Sequence, residues 1–127
     1  MSKDTEQKDG GKTKSSSSIQ ELATMDAVES FLKNNDYVVI KFGMPGCGPC
    51  KTVAPAFEKL PERLGKLSLA SVDATCPDVF DLVDQYTVDK VPVFHFFHRS
   101  KHQPDLTYRG INADKLWKRA HTLSHLK

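Results

Sequence analysis

The sequence predicts an α/β fold, a mixed central β-sheet with helices on both faces. Strand-like runs rich in β-branched residues alternate with helix-periodic stretches along most of the 127 residues, and such alternation implies parallel strands joined by helical crossovers. Towards the C-terminal end two strand-like runs, "VPVFHFF" and "DLTYRG", follow one another with no helix between them, which adds an antiparallel hairpin and makes the sheet mixed. The length suits one domain and is too short for two.

The elements follow in order. Residues 1–18, "MSKDTEQKDGGKTKSSSS", carry no large apolar side chain after Met1. They can bury too little to offset ordering entropy and read as a disordered tail, with the folded domain over 19–127. "SIQELA" is a short strand candidate, and Thr24 can cap a helix to about Asn34 with Met25, Val28, Phe31 and Leu32 inward. "YVVIKF" is an almost continuous apolar run suited to a central parallel strand, interrupted only by Lys41. From Pro49 to about Leu64 a helix pattern aligns Val53, Phe57, Leu60 and Leu64, with Pro55 inside it as an expected kink and Gly65 as its stop.

"KLSLASVD" is the next strand. Pro77 then opens a helix through Tyr86 that points Val79, Leu82, Val83 and Tyr86 one way. "VPVFHFF" has a proline near its start, "DLTYRG" ends at Gly110, and residues 112–124 form a last helix expected to bury Ala113, Leu116, Trp117, Ala120 and Leu123.

Composition excludes several classes of function. Charged residues make up 27%, hydrophobic ones 39%, and the net charge is only +2, too little to suggest nucleic-acid binding. No apolar run approaches the roughly 20 residues of a membrane span. The first residues lack a secretory apolar segment and, holding Asp4, Glu6 and Asp9 but no Arg, do not resemble a mitochondrial presequence. A soluble, cytoplasmic protein is the expectation. The three cysteines, Cys47, Cys50 and Cys76, are too few for a disulfide scaffold.

Chemistry concentrates in "FGMPGCGPCKTVAP", residues 42–55. Two cysteines open a helix there, where unpaired N–H groups and the helix dipole favour an anion, so Cys47 is the expected thiolate nucleophile. Cys50, one turn on, is expected to be more buried and to resolve a mixed disulfide formed at Cys47. Gly48 supplies a permissive turn and Pro49 a fixed φ at the helix start. Zinc would need two further ligands. Cys76, His95, His98, His102, His121 and His125 supply no matching pair, so no metal is expected. The motif alone leaves an inert buried pair open.

With "CGPCK" at 47–51, Pro55 eight residues after the first cysteine, "VP" at 91–92 opening a Phe-rich strand and Gly110 before the last helix, residues 19 to 124 resemble the thioredoxin family. The resemblance implies the thioredoxin fold and a protein dithiol–disulfide oxidoreductase that reduces protein disulfides through Cys47 and Cys50 and serves cell redox homeostasis. It implies no bound cofactor, and electrons from an NADPH-dependent thioredoxin reductase or a low-molecular-weight thiol. Pro92 would be the cis-proline beside the cysteine pair, binding substrate together with Val91 and Gly46. Gly110 could admit a substrate backbone or simply end a strand. A monomer is implied, with dimerisation through Cys76 open.

The departures concern the flanks. Gly46 stands where the family usually has Trp before the first cysteine, and Gly43 at a second usually aromatic loop position, so partner contacts should differ more than reaction type. Lys41, six residues before Cys47, occupies the usual place of a buried Asp that takes the resolving cysteine's proton. An inward ammonium would favour thiolates and raise the reduction potential; an outward or partly solvated one, the pose favoured here because unpaired burial is costly, would leave the relay to water. Either slows Cys50. A redox-inactive adaptor and a more oxidising oxidase or isomerase therefore stand as alternatives. "DATCPDVF" is about four residues longer than the family pattern and puts Cys76 on a loop surface, where it is either a regulatory thiol or without role. "HFFHRSKHQ" reads as a solvated turn, with an acidic partner or a metal as alternatives.

Overall fold

The two strands at the centre of the computed structural model, β2 (Tyr37–Gly43) and β3 (Leu67–Asp73), pair in parallel from Tyr37–Leu67 to Gly43–Asp73. The structure describes residues 19–86, 88 and 90–127; the expected tail over 1–18 lies outside the described residues. β1 (Gln20–Glu21) runs parallel to β3 on its outer side, and β4 (Val93–His98) runs antiparallel to β2. The far side of β4 is shared by β6 (Tyr108–Arg109) at its start and β5 (Lys101–His102) at its end. The mixed sheet and its helices form the thioredoxin fold that the resemblance implied.

Strand alternation divides the core into two layers. Val39, Leu69, Phe94 and Phe96 face α2 (Gly48–Glu58), α3 (Leu60–Arg63) and α5 (Ala113–Ser124), which contribute Val53, Phe57, Leu60, Leu116, Ala120 and Leu123. Val38, Ile40, Phe42, Ala70 and Val72 face α1 (Met25–Asn34) and α4 (Phe80–Gln85), which add Val28 and Leu82. Each fully buried Val, Leu, Ile or Phe side chain among them contributes about 1.5–3 kcal/mol of transfer free energy. α1 starts at Thr24, whose Oγ1 accepts the Ala27 N–H at 3.0 Å, and α5 at Asn112, whose Oδ1 accepts the Lys115 N–H at 3.0 Å.

Four local expectations are corrected. The helix after Cys47 holds Pro55 inside it and is interrupted at Lys59, short of the expected end near Leu64, because Pro61, in the first turn of α3, has no N–H to continue the ladder. The stretch from Pro77 begins as a 3₁₀ turn, Pro77–Val79, before α4. Pro104 turns the start of "DLTYRG" into another 3₁₀ turn, leaving only Tyr108 and Arg109 to pair. Ala113, expected inside, is exposed in the first turn of α5.

The expected solvated turn holds at Arg99, Ser100 and Lys101, which are exposed, and is corrected for His95 and His98, which are buried. Arg99 and Ser100 form a two-residue hairpin loop with φ of 52° and 70°, the left-handed pair of a type I′ turn, which ordinary side chains adopt at a cost of about 1–2 kcal/mol each. Bonds back to the end of α1 offset it: the Arg99 N–H donates to Asp36 O at 2.7 Å and Ser100 Oγ to Leu32 O at 3.0 Å. His95 is then buried between the rings of Phe42 and Tyr86, its Nδ1 2.9 Å from His102 Nε2.

That burial, with the His102 ring and the Arg109 charge acting the same way, lowers the His95 pKa from 6.5 to about 4. Between those values the unfolded chain binds the proton and the folded one does not, so stability is full above about pH 6.5 and falls as the pH drops towards about 4. Each pH unit crossed in that interval removes at most about 1.4 kcal/mol; with His102 partly open to screening solvent, a total loss on the order of 2 kcal/mol is expected. Urea midpoints at about pH 7 and pH 4.5 measure it. A His95→Leu variant should show a flatter pH dependence, and an equally steep one would assign the acid sensitivity to other groups.

Candidate active site

β2 ends at Gly43, and the chain turns through Met44, Pro45 and Gly46 into α2. Gly46, at φ 77°, is open on its Cα face, so glycine here answers a backbone requirement and leaves the loop surface bare. Cys47 is the N-cap of α2: its Sγ accepts the Cys50 N–H at 3.1 Å and its carbonyl the Lys51 N–H at 3.3 Å. A sulfur in that place satisfies one of the helix's unpaired donors and lies at the positive end of its dipole. Cys47 and Cys50 are bridged, with Cα atoms 5.3 Å apart. Their exposures are 7% and 6%, so both residues are buried in the bridged form. Gly48 and Pro49 are exposed on the outer side of the first turn.

The Val91–Pro92 peptide is cis, immediately before β4. Pairing of Val93 with Phe42 places it at the same end of the sheet as the Cys47 loop. Gly110 lies one residue beyond the Val93–Arg109 pair, at that end too. Its glycine has an internal reason: φ is 144°, and a Cβ would meet Tyr108 Oη at 2.8 Å and Cζ at 3.1 Å. The same hydroxyl oxygen accepts the Asn112 N–H at 2.8 Å, tying the sheet edge to the start of α5.

Lys41 points to the α2 side of the sheet, in register with Ser71. Its ammonium rests 5.6 Å from the centroid of the Phe57 ring. Burial lowers its pKa and the Glu58 carboxylate partly restores it. The side chain is thus half-buried, with its ammonium against the Phe57 ring. Beside it a cavity of about 520 Å³ opens, lined among others by Lys41, Gly43, Cys47, Cys50, Ser71 and Cys76.

Two cavity residues differ from expectation. Gly43 is no loop position: it is the buried last residue of β2, and a Cβ there would stand 3.3 Å from Cys50 Sγ, a contact that needs the sulfur to give by a few tenths of an ångström. Cys76, expected on the surface, is half-buried with Sγ 3.5 Å from Ala23 O. Its loop is held by Ala74 N–H on Gly43 O at 2.8 Å and Cys76 N–H on Asp73 O at 3.1 Å. Thr75 donates its N–H and hydroxyl to Asp73 Oδ1, which holds that carboxyl below its ordinary range. Sequence spacing carried no sign that Cys76 shares a cavity with the cysteine pair; the β2–β3 register does. Among the described residues no three of His, Cys, Asp or Glu are grouped so as to hold a metal ion.

Comparison with known proteins agrees with this geometry. The thioredoxin family model matches residues 19–122. Over 80 residues the chain is 35% identical to protein disulfide-isomerase of Drosophila melanogaster, covering 60% of this chain and 16% of that protein. Over 111 residues it is 29% identical to the mitochondrial thioredoxin O of Oryza sativa subsp. japonica, covering 82% of this chain and 63% of that one. It thus spans about a sixth of the isomerase and less than two thirds of thioredoxin O. Oxidised mitochondrial thioredoxin 3 of Saccharomyces cerevisiae superposes with a TM-score of 0.74 at 25% identity, covering 86% of this chain and 99% of that one. With two-layer packing around the mixed sheet, a bridged Cys47–Cys50 pair at a helix N-terminus and a family match over most of its length, the chain belongs to the thioredoxin family of redox proteins that work through their own cysteine pair.

Proposed function

We propose that the protein is a dithiol–disulfide oxidoreductase acting as a reductase of protein disulfides. The placement of Cys47 Sγ at the N-cap of α2, on the Cys50 N–H, supports this most directly. It stabilises a thiolate at Cys47 and makes that sulfur both nucleophile and leaving group. Cys47 thiolate attacks a substrate disulfide, forming a mixed disulfide and releasing one substrate thiolate. Cys50, once deprotonated, attacks Cys47 Sγ, releases the second substrate thiolate and closes the bridge. Two electrons pass to the substrate. With Lys41 in place of a carboxylate, water takes the Cys50 proton. Val91, Pro92 and Gly46 flank the pair as substrate contacts. A thioredoxin reductase or a small thiol returns the electrons, in a reducing compartment such as the cytoplasm.

A second reading, an oxidase or isomerase, is favoured by the likeness to protein disulfide-isomerase and by the Lys41 charge on the cavity wall. The reduction potential separates them. A value near −270 mV, about that of thioredoxin, is expected; one near about −180 mV assigns the isomerase role. An adaptor without redox activity would leave insulin-disulfide cleavage at the rate of dithiothreitol alone.

A further inference from the structure

Residues in register across three adjacent strands, Glu21 on β1, Ser71 on β3 and Lys41 on β2, form a polar row, and all three line the cavity beside the cysteine pair. The preceding row on this face, Leu69 and Val39, belongs to the core, so the polar row marks where the apolar layer ends. Opposite it α2 presents Cys50 and, one turn on, the small Ala54, which leaves the space open. At about 520 Å³ the cavity lies within the size range of small-molecule sites.

The charges are separated in a definite way. Strands stand about 4.8 Å apart, so the backbones of Glu21 and Lys41 are roughly 10 Å apart across the cavity. The Lys41 ammonium leans along α2 towards Phe57 and Glu58, two turns from the bridged sulfurs. A ligand that fills this space meets a cation, an anion and a disulfide in three directions. A neutral monothiol uses only the last.

We propose that this cavity binds a small zwitterionic thiol, an amino acid or short peptide with a free sulfhydryl, its carboxylate on Lys41, its ammonium on Glu21 and its sulfur facing the Cys47–Cys50 bridge. The proposal rests on the oxidoreductase reading and names the class of its electron donor. The bound thiolate attacks one sulfur of the bridge, forming a mixed disulfide and releasing the other cysteine as thiolate. A second thiolate of the same kind attacks the ligand sulfur, giving the small disulfide and freeing the remaining cysteine. Two thiols are oxidised, the bridge is reduced, and the two cysteine thiolates take up the protons that the small thiols lost. A carboxylate arriving at Lys41 also offsets the desolvation of its ammonium.

Two measurements on the full chain test this. The non-reacting analogue S-methyl-L-cysteine, titrated into the oxidised protein, should shift the amide resonances of Glu21, Lys41 and Ser71 saturably; absence of such shifts overturns the site. Reduction of the bridge is then timed with L-cysteine, neutral 2-mercaptoethanol and dithiothreitol, each corrected for its thiolate fraction. The cysteine rate should saturate with concentration, and the ratio of the cysteine to the dithiothreitol rate should fall roughly tenfold in both Lys41→Met and Glu21→Gln. A ratio unchanged in either variant, or no preference for cysteine over 2-mercaptoethanol, overturns the proposal while leaving the reductase reading intact. A bridge that dithiothreitol cannot cycle in the insulin assay overturns both.

Discussion

Replacing Cys47 with serine reduces insulin-disulfide cleavage to the rate of dithiothreitol alone, whereas Cys50→Ser leaves the first attack and halts the second. The asymmetry comes from the helix start. Only Cys47 occupies the N-cap, where the Cys50 N–H at 3.1 Å and the helix dipole stabilise a negative sulfur. A serine hydroxyl there remains protonated near neutral pH and does not open a disulfide. In Cys50→Ser the mixed disulfide on Cys47 persists and is read as a mass increase equal to the bound substrate thiol, lost on reduction. Turnover retained in Cys47→Ser, with the adduct forming on Cys50 instead, would reverse the two roles.

Phe57→Ala lowers the unfolding free energy by about 3–5 kcal/mol, the range for emptying a fully buried aromatic position. Against a total of about 5–15 kcal/mol for a domain, this brings the protein close to unfolding at elevated temperature. Phe57 is fully buried, its ring centroid 5.4 Å from that of Phe94 on β4, and it carries the Lys41 ammonium on its outer side. The truncation therefore removes the ring contact of α2 with Phe94 on β4 and the ring beneath the Lys41 ammonium. Urea denaturation of the oxidised protein measures the loss. A loss below about 1 kcal/mol would show that α2 is held by Val53 and the Cys47–Cys50 bridge instead.

What the sequence revealed depended on whether the cause was local. β2 was legible because "VVI" is β-branched and apolar, and β3 because Leu67, Leu69, Ala70 and Val72 make "LSLASV" mostly apolar over a strand's length. α1 was legible from Thr24, a cap that acts within three residues. The turn in "HFFHRSKHQ" was legible but its type was not, because Arg99 and Ser100 lack the glycine or asparagine that marks a type I′ turn; their conformation is held by Asp36 and Leu32, more than 60 positions earlier. For the same reason His95 looked solvated: its environment is set by Phe42, Tyr86 and His102, joined only by the fold.

The candidate site divides likewise. Spacing and a helix start sufficed to single out Cys47 and Cys50. The resemblance, not the spacing, singled out Val91–Pro92, and the structure brings that cis peptide to the same end of the sheet. The meeting of Lys41, Gly43 and Cys76 around one cavity follows from the parallel register of β2 with β3, which no local pattern encodes.

The contact between Tyr108 and Gly110 bears on how this sequence can drift. A tyrosine hydroxyl fills the space where any side chain at 110 would begin, so the glycine is dispensable only after the tyrosine has become smaller. That smaller residue would in turn lose the acceptor for the Asn112 N–H. The two residues are thus coupled: the Tyr108 hydroxyl and a φ of 144° each stand against a side chain at 110, and that constraint is independent of any contact Gly110 makes with substrate.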